Sequence, residues 1–88
     1  MNRSISDYTE AEFVNFMNAI ITVDSTVFPT ERAHIKGILE FKHLTQHPLG
    51  SDLLYYPAKH GLDGSLEEVL KIVKQWRLEQ GMPGFKDA

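Results

Sequence analysis

The sequence predicts an all-α fold, a small antiparallel four-helix bundle whose third helix is very short. Three observations carry this reading. Apolar residues recur at helical spacing in three separate segments, each bracketed by capping and breaking residues. A fourth segment, Ser51 to Pro57, is confined between Pro48-Leu49-Gly50 and Pro57 and has room for no more than about two turns. No stretch alternates apolar and polar residues as a half-buried strand does.

The first helix opens on Thr9-Glu10-Ala11-Glu12, a capping box in which Thr9 bonds the third helical amide and Glu12 reaches back. Tyr8 and Phe13 stand at the positions of a hydrophobic staple around that cap. Phe13, Phe16, Met17 and Ile20 then give one apolar face over residues 10–23, and Asp24-Ser25-Thr26 breaks the pattern. The second helix starts at Thr30, with Glu31 in the first turn where the helix dipole favours an anion. It is expected to run to His47, ahead of Pro48, with Phe41 and Leu44 at the core and Ile38 bordering it. Gly37 lies in its middle at a cost of about 1 kcal/mol against Ala, which a neighbour needing close approach would explain. Ile35, Ile38 and Leu39 widen the apolar surface beyond one core stripe, a hint of a second contact surface.

Ser51 is placed to cap the third helix, which Pro57 ends. So short a helix cannot stand on its own propensity, because nucleation consumes most of what its few hydrogen bonds return. Leu53 and Leu54 can anchor it to a core. Asp52, Tyr55 and Tyr56 remain, and two amphipathic rings beside a carboxylate suit the centre of a protein interface. Residue spacing alone fits equally well a pair of core tyrosines with tethered hydroxyls. After an Ala58 to Gly64 loop, Ser65-Leu66-Glu67-Glu68 forms a second capping box. Leu66, Val69, Leu70, Val73 and Trp76 hold the apolar stripe of the last helix, and Gly81 stops it. Lys71, Lys74 and Arg77 read as a solvated face matched to the helix dipole.

Composition narrows the functions. The chain has 88 residues, enough for one domain and one core, here taken as residues 1–88. Nine basic and twelve acidic residues give a net charge of −3, which argues against nucleic acid or an anionic membrane as the partner. There is no cysteine, hence no disulfide framework and no thiolate zinc site. Met1 to Tyr8 lacks the apolar run of a signal peptide, and Phe13 to Val23 is too short and polar to span a bilayer, so a cytoplasmic chain is expected. His43 and His47 would share a helix face and could hold a metal, but no second Glu-x-x-His and no zincin motif accompany them. The histidines therefore read as structural, with His47 satisfying carbonyls at the helix end, and no cofactor is expected. No nucleophile elbow, phosphate-binding loop or basic recognition helix is visible, so neither an enzyme nor a DNA-binding helix pair is expected.

Ser4-Ile5-Ser6-Asp7-Tyr8-Thr9-Glu10-Ala11-Glu12-Phe13, His47-Pro48, Gly50 to Pro57, Val73-Lys74-Gln75-Trp76-Arg77 and Gly84-Phe85-Lys86 together resemble the immunity proteins of DNase-type colicins and pyocins. The resemblance covers nearly the whole chain, and Ser-Asp-Leu-Leu-Tyr-Tyr-Pro is its most specific part. It implies a four-helix protein, monomeric when free, that binds the C-terminal nuclease domain of a bacterial toxin one-to-one and protects the producing cell. It further implies inhibition from beside the nuclease active site, and assigns the tyrosines to the interface. The shared anchor it implies is Ser51, Asp52, Tyr55, Tyr56 and Pro57. The residues that select the toxin would be Glu31, His34, Ile35, Ile38, Leu39 and Lys42 of the second helix. Colicin members tend to carry a more acidic second helix, whereas Ile35, Leu39, Phe41-Lys42 and Leu44-Thr45 look like the pyocin branch. A helical adaptor not directed at a nuclease is the alternative. It leaves the short polar-aromatic helix without a reason.

Overall fold

The computed structural model describes residues 4–86. Four α-helices follow one another: α1 (Glu10–Thr22), α2 (Glu31–Thr45), α3 (Asp52–Tyr55) and α4 (Leu66–Glu79). Ile5–Asp7 and Pro57–His60 form 3-10 turns, the second lying where a plain loop is expected, and no strand occurs among the described residues. The fold is all-helical, as the sequence predicts. The bounds of the 1–88 domain and part of the Met1 to Tyr8 reading fall on residues 1–3 and 87–88, outside the described residues.

α1 is central and lies against α2, α3 and α4. Its Phe13, Met17 and Ile20 are fully buried with Phe41 and Leu44 of α2, Leu53 of α3, and Val69 and Val73 of α4. Phe13 organises an aromatic cluster, stacked on Phe41 at 5.8 Å, tilted on Phe85 at 5.2 Å and edge-on to Tyr8 at 6.4 Å. The last contact is the expected staple. Two long-range hydrogen bonds bring the C-terminal segment back to the start of the chain: Lys86 N–H donates to Tyr8 O at 2.8 Å, and Ser6 Oγ to Gly84 O at 2.9 Å.

The Thr9 box forms as expected, with Thr9 Oγ1 accepting from Glu12 N–H and Glu12 Oε1 accepting from Thr9 N–H. Thr30 caps α2 through Ala33 N–H. The Ser65 box forms by half. Ser65 Oγ accepts from Glu68 N–H, but Glu68 Oε1 takes Asp63 N–H at 2.7 Å while Ser65 N–H goes to Asp63 Oδ1. The competing Asp63 carboxylate, held below its ordinary pKa by those Ser65 bonds, displaces Glu68 from its expected partner.

α2 ends at Thr45, two residues short of the expected His47. Gln46 turns left-handed (φ 55°) and its N–H closes on Lys42 O at 3.0 Å, so the chain leaves the helix before Pro48 can act. The helix-end carbonyls are not met by His47. Arg77 Nη1 reaches Leu44 O at 3.1 Å and Thr45 O at 3.4 Å, and Arg77 Nε reaches Pro83 O at 3.1 Å. Arg77 is thus 5% exposed rather than part of a solvated face. An arginine goes inside when its fork finds carbonyls, because those bonds offset the desolvation that lowers its pKa.

Gly37 answers to close approach. A Cβ there would lie 2.5 Å from Cε1 and 2.7 Å from Cζ of Phe28, whose ring covers the helix from the α1–α2 connection. Gly37→Ala is expected to destabilise the protein by about 1–3 kcal/mol through this overlap, although Ala is the better helix former by about 1 kcal/mol. Urea unfolding reads the balance, and a midpoint that rises would show the Phe28 ring free to move aside.

Candidate functional site

The segment from His47 to His60 is built by its backbone. Gly50, left-handed at φ 53°, closes the Pro48-Leu49 turn by donating to His47 O at 3.0 Å. Asp52 N–H then bonds Leu49 O, and Leu54 and Tyr55 N–H both bond Ser51 O. Ser51 itself adopts helical angles (φ −67°, ψ −12°), so its hydroxyl makes no cap, contrary to expectation. The turn feeds directly into α3 and leaves that hydroxyl without a capping role. Tyr56 N–H ends the helix on Asp52 O, and Pro57 starts the following 3-10 turn.

Leu53 and Leu54 are buried, as anchoring requires. Tyr55 is 41% and Tyr56 61% exposed, so the core reading of the tyrosines fails. What burial Tyr55 has pushes its phenol pKa up and keeps it protonated, a donor as well as an acceptor. Asp52 sits at the N-terminus of α3, half-exposed, with Oδ2 at 3.3 Å from His60 Nε2. Ser51 and Pro57 are half-buried at the two ends.

On α2, Glu31, Ile35, Leu39 and Lys42 are all exposed and fall on one helical stripe, with Ile35 50% and Leu39 56% exposed. Ile38 is half-buried against the core edge. His34 is set apart from the row. Its Nε2 donates to Ile20 O at 2.8 Å and its ring stands edge-on to Phe28 at 5.5 Å, so it closes the end of α1 onto α2. The two sets of residues meet at Lys42. The alkyl chain of Lys42 lies over Gly50, where a Cβ would come within 3.3 Å of Lys42 Cε. The row on α2 therefore runs into the turn that opens α3. Two neighbours of the site escape a reading of the sequence, Gly50 and His60. Gly50 is legible only as a helix stop, and His60 lies eight residues beyond Asp52, where no periodicity links them.

His47 lies past the end of α2, so His43 and His47 do not share a helix face as their spacing suggests. Among the described residues, no three His, Cys, Asp or Glu side chains gather to hold a metal, and no helix is long and apolar enough to cross a membrane. A groove of about 500 Å³ lies elsewhere, between α4 and the C-terminal segment, lined by Leu70, Lys74, Leu78, Met82 and Phe85 among others. It shares no residue with the α2–α3 surface.

Fold and surface together define a small all-helical domain that exposes two tyrosines beside an aspartate at one short helix and a mixed apolar and charged stripe on the helix beside it. The chain belongs to the colicin immunity protein / pyocin immunity protein family, whose model matches residues 5–79. It is 54% identical over 86 residues to the pyocin-S1 immunity protein of Pseudomonas aeruginosa, covering 98% of both chains. The same identity and coverage hold for the pyocin-S2 immunity protein of P. aeruginosa strain PAO1. Among solved structures, it superposes on a chain of the pyocin AP41 DNase–immunity complex with a TM-score of 0.80 at 28% identity, covering 99% of this chain and all of that one. A chain from the complex of a mutant pyocin S8 nuclease domain with its cognate immunity protein also gives 0.80, at 36% identity, covering 98% of this chain and all of that one. These relatives lie on the pyocin side, where the α2 sequence points.

The entry to α3 carries a pH dependence. His47 Nδ1 accepts from Leu49 N–H at 3.1 Å and the ring packs 5.1 Å from Trp76, so burial lowers its pKa below the ordinary value. The unfolded chain, with a His pKa of about 6.5, then binds the proton more readily than the folded one. The contribution is complete above about pH 6.5 and declines as pH falls through that value toward the native pKa. Unfolding free energy is expected to drop between about pH 7.5 and pH 5, and the drop to shrink in His47→Asn, whose Oδ1 can accept from Leu49 without titrating. Denaturant curves at several pH values test it, and an equal drop in both proteins would acquit His47.

Proposed function

We propose that this chain is the immunity partner of a pyocin-type DNase, a single domain over residues 1–88 that binds the nuclease domain one-to-one and is not itself an enzyme. It acts in the cytoplasm of the producing bacterium, without a cofactor, and is a monomer when free. The observation that carries the reading is the exposure of Tyr55 and Tyr56 beside Asp52, on a helix held by buried Leu53 and Leu54, in a chain of this family. Tyr55 and Tyr56 are the central anchors, flanked by Ser51, Asp52 and Pro57. Glu31, Ile35, Ile38, Leu39 and Lys42 choose among nucleases by attraction to the matching surface and by repulsion against the wrong partner. His34 belongs to this set through the α1–α2 junction that its bond to Ile20 holds in place.

The inhibition follows from charge and bulk. Asp52 and Glu31 engage basic groups on the nuclease that otherwise meet DNA phosphate, and a bound protein of net charge −3 repels the phosphate backbone. No group of this chain needs to enter the nuclease active site, so binding beside it is sufficient.

Titration against pyocins S1 and S2, the DNase of pyocin AP41, the nuclease domain of pyocin S8 and colicin DNase domains, with binding and residual DNA cleavage measured together, tests the function. Tight stoichiometric inhibition of a pyocin-type nuclease with weaker binding to the colicin domains is expected. Binding to none of them would favour a helical adaptor. Within the same panel, Tyr56→Ala is expected to lose about 2–4 kcal/mol of binding with every nuclease bound, with little change in thermal unfolding. Unfolding of that variant would return the tyrosine to a structural role. Lys42→Glu is expected to reorder the preference among nucleases, whereas a uniform loss would remove Lys42 from the selecting row.

A further inference from the structure

Asp52 is the only charged side chain on α3, and the structure gives it one side-chain partner. His60 Nε2 donates to Asp52 Oδ2 at 3.3 Å from the end of the 3-10 turn that follows Pro57. The two ends of the pair are held by separate backbone bonds. Asp52 O accepts from Tyr56 N–H, Tyr56 O from Lys59 N–H, and Pro57 O from Leu62 N–H, so α3 and the turn form one folded-back unit. Neither side chain is sealed off: 24% of the His60 and 39% of the Asp52 side-chain surface is open.

We infer that His60 is a positioning residue for partner binding, holding the Asp52 carboxylate through Oδ2 so that Oδ1 is presented to a cationic donor on the nuclease. The inference rests on the proposed function and deepens it. A carboxylate has room for about four hydrogen bonds over its two oxygens, so one fixed by His60 keeps an oxygen for an Arg or Lys of the partner. A free Asp at a helix N-terminus must lose rotamer freedom on binding. One already held has lost it on folding, and the complex gains the difference. His60, at the end of the 3-10 turn that Pro57 begins, thereby contributes to the recognition surface without itself touching the partner.

The test measures dissociation constants for the pyocin nuclease bound best in the panel, with wild type, His60→Ala, His60→Gln, Asp52→Ala and the His60→Ala/Asp52→Ala double variant. His60→Ala is expected to bind about three- to tenfold more weakly. His60→Gln, whose amide N–H stands where Nε2 does, is expected to bind like wild type, and His60→Ala to add nothing once Asp52 is gone. Unchanged or tighter binding by His60→Ala overturns the role. So does an undiminished loss in the Asp52→Ala background, or failure of Gln to restore binding, since a purely structural effect would behave in those ways. A wild-type chain that binds no nuclease overturns the proposed function and this role with it, which separates the two failures.

Discussion

Everything distinctive about this surface depends on the anchoring of a one-turn helix by Leu53 and Leu54. Fixing the backbone of the four residues of α3 costs about 4–8 kcal/mol, and burying two leucine side chains returns about 3–6 kcal/mol. The segment nearly balances, and the Leu49-Gly50-Ser51 turn and the bonds to its carbonyls tip it toward order. Because the leucines take the inward face against α1 and α4, the remaining residues of the turn have no interior to enter. Two tyrosines and an aspartate are left outside on a platform whose inner face is packed, and in the proposed function this spares most of the ordering cost of association.

That platform needs α2 to end early. If α2 continued to Pro48, the chain would have no Gln46-His47 segment with which to turn toward α3. The early end exposes carbonyls that the interior would otherwise leave unpaired, and Arg77 takes two of them from α4 while its Nε holds Pro83. One buried guanidinium thus ties together the end of α2, the body of α4 and the C-terminal segment whose Phe85 packs on Phe13. His47, released from the helix, turns its ring to Trp76 and its Nδ1 to Leu49, and so secures the entry to α3 from the other side.

Local chemistry made much of this legible in the sequence. The Thr9 box, the Thr30 cap, the apolar stripes and the Gly81 stop are local signals, and all four helices form where such signals put them, although α2 stops two residues before the expected His47. The departures have separate causes. Arg77 reads as a surface cation because its targets are 32 and 33 residues away, beyond any periodicity. Glu68 fails to complete its box because Asp63 competes for the same donor, and Ser51 fails to cap because the preceding turn already carries helical angles. For the surface, the family resemblance supplied roles that spacing could not, since exposed and buried tyrosines have the same sequence. Tyr55, Tyr56, Ile35 and Leu39 are exposed, which leaves those roles open to them, while the inward bond of His34 could not be seen before the helices were packed.

The proposed division between anchor and selector rests mechanically on how α2 is attached. Its inward residues, Gly37, Phe41, Leu44 and Thr45, are buried and closely packed, and Gly37 cannot gain even a methyl group without meeting Phe28. Its outward stripe of Glu31, Ile35, Leu39 and Lys42 is tied to nothing comparable. Substitutions along that stripe can therefore accumulate without passing through the folding of the domain, which is the condition for partner choice to change while the fold persists. Lys42 and His34 mark the limits of this freedom. Lys42 rests on Gly50, so changing it also touches the turn that opens α3. His34 bonds the carbonyl of Ile20, so changing it is felt first by the α1–α2 junction, and any effect on a partner is transmitted through the placement of α2.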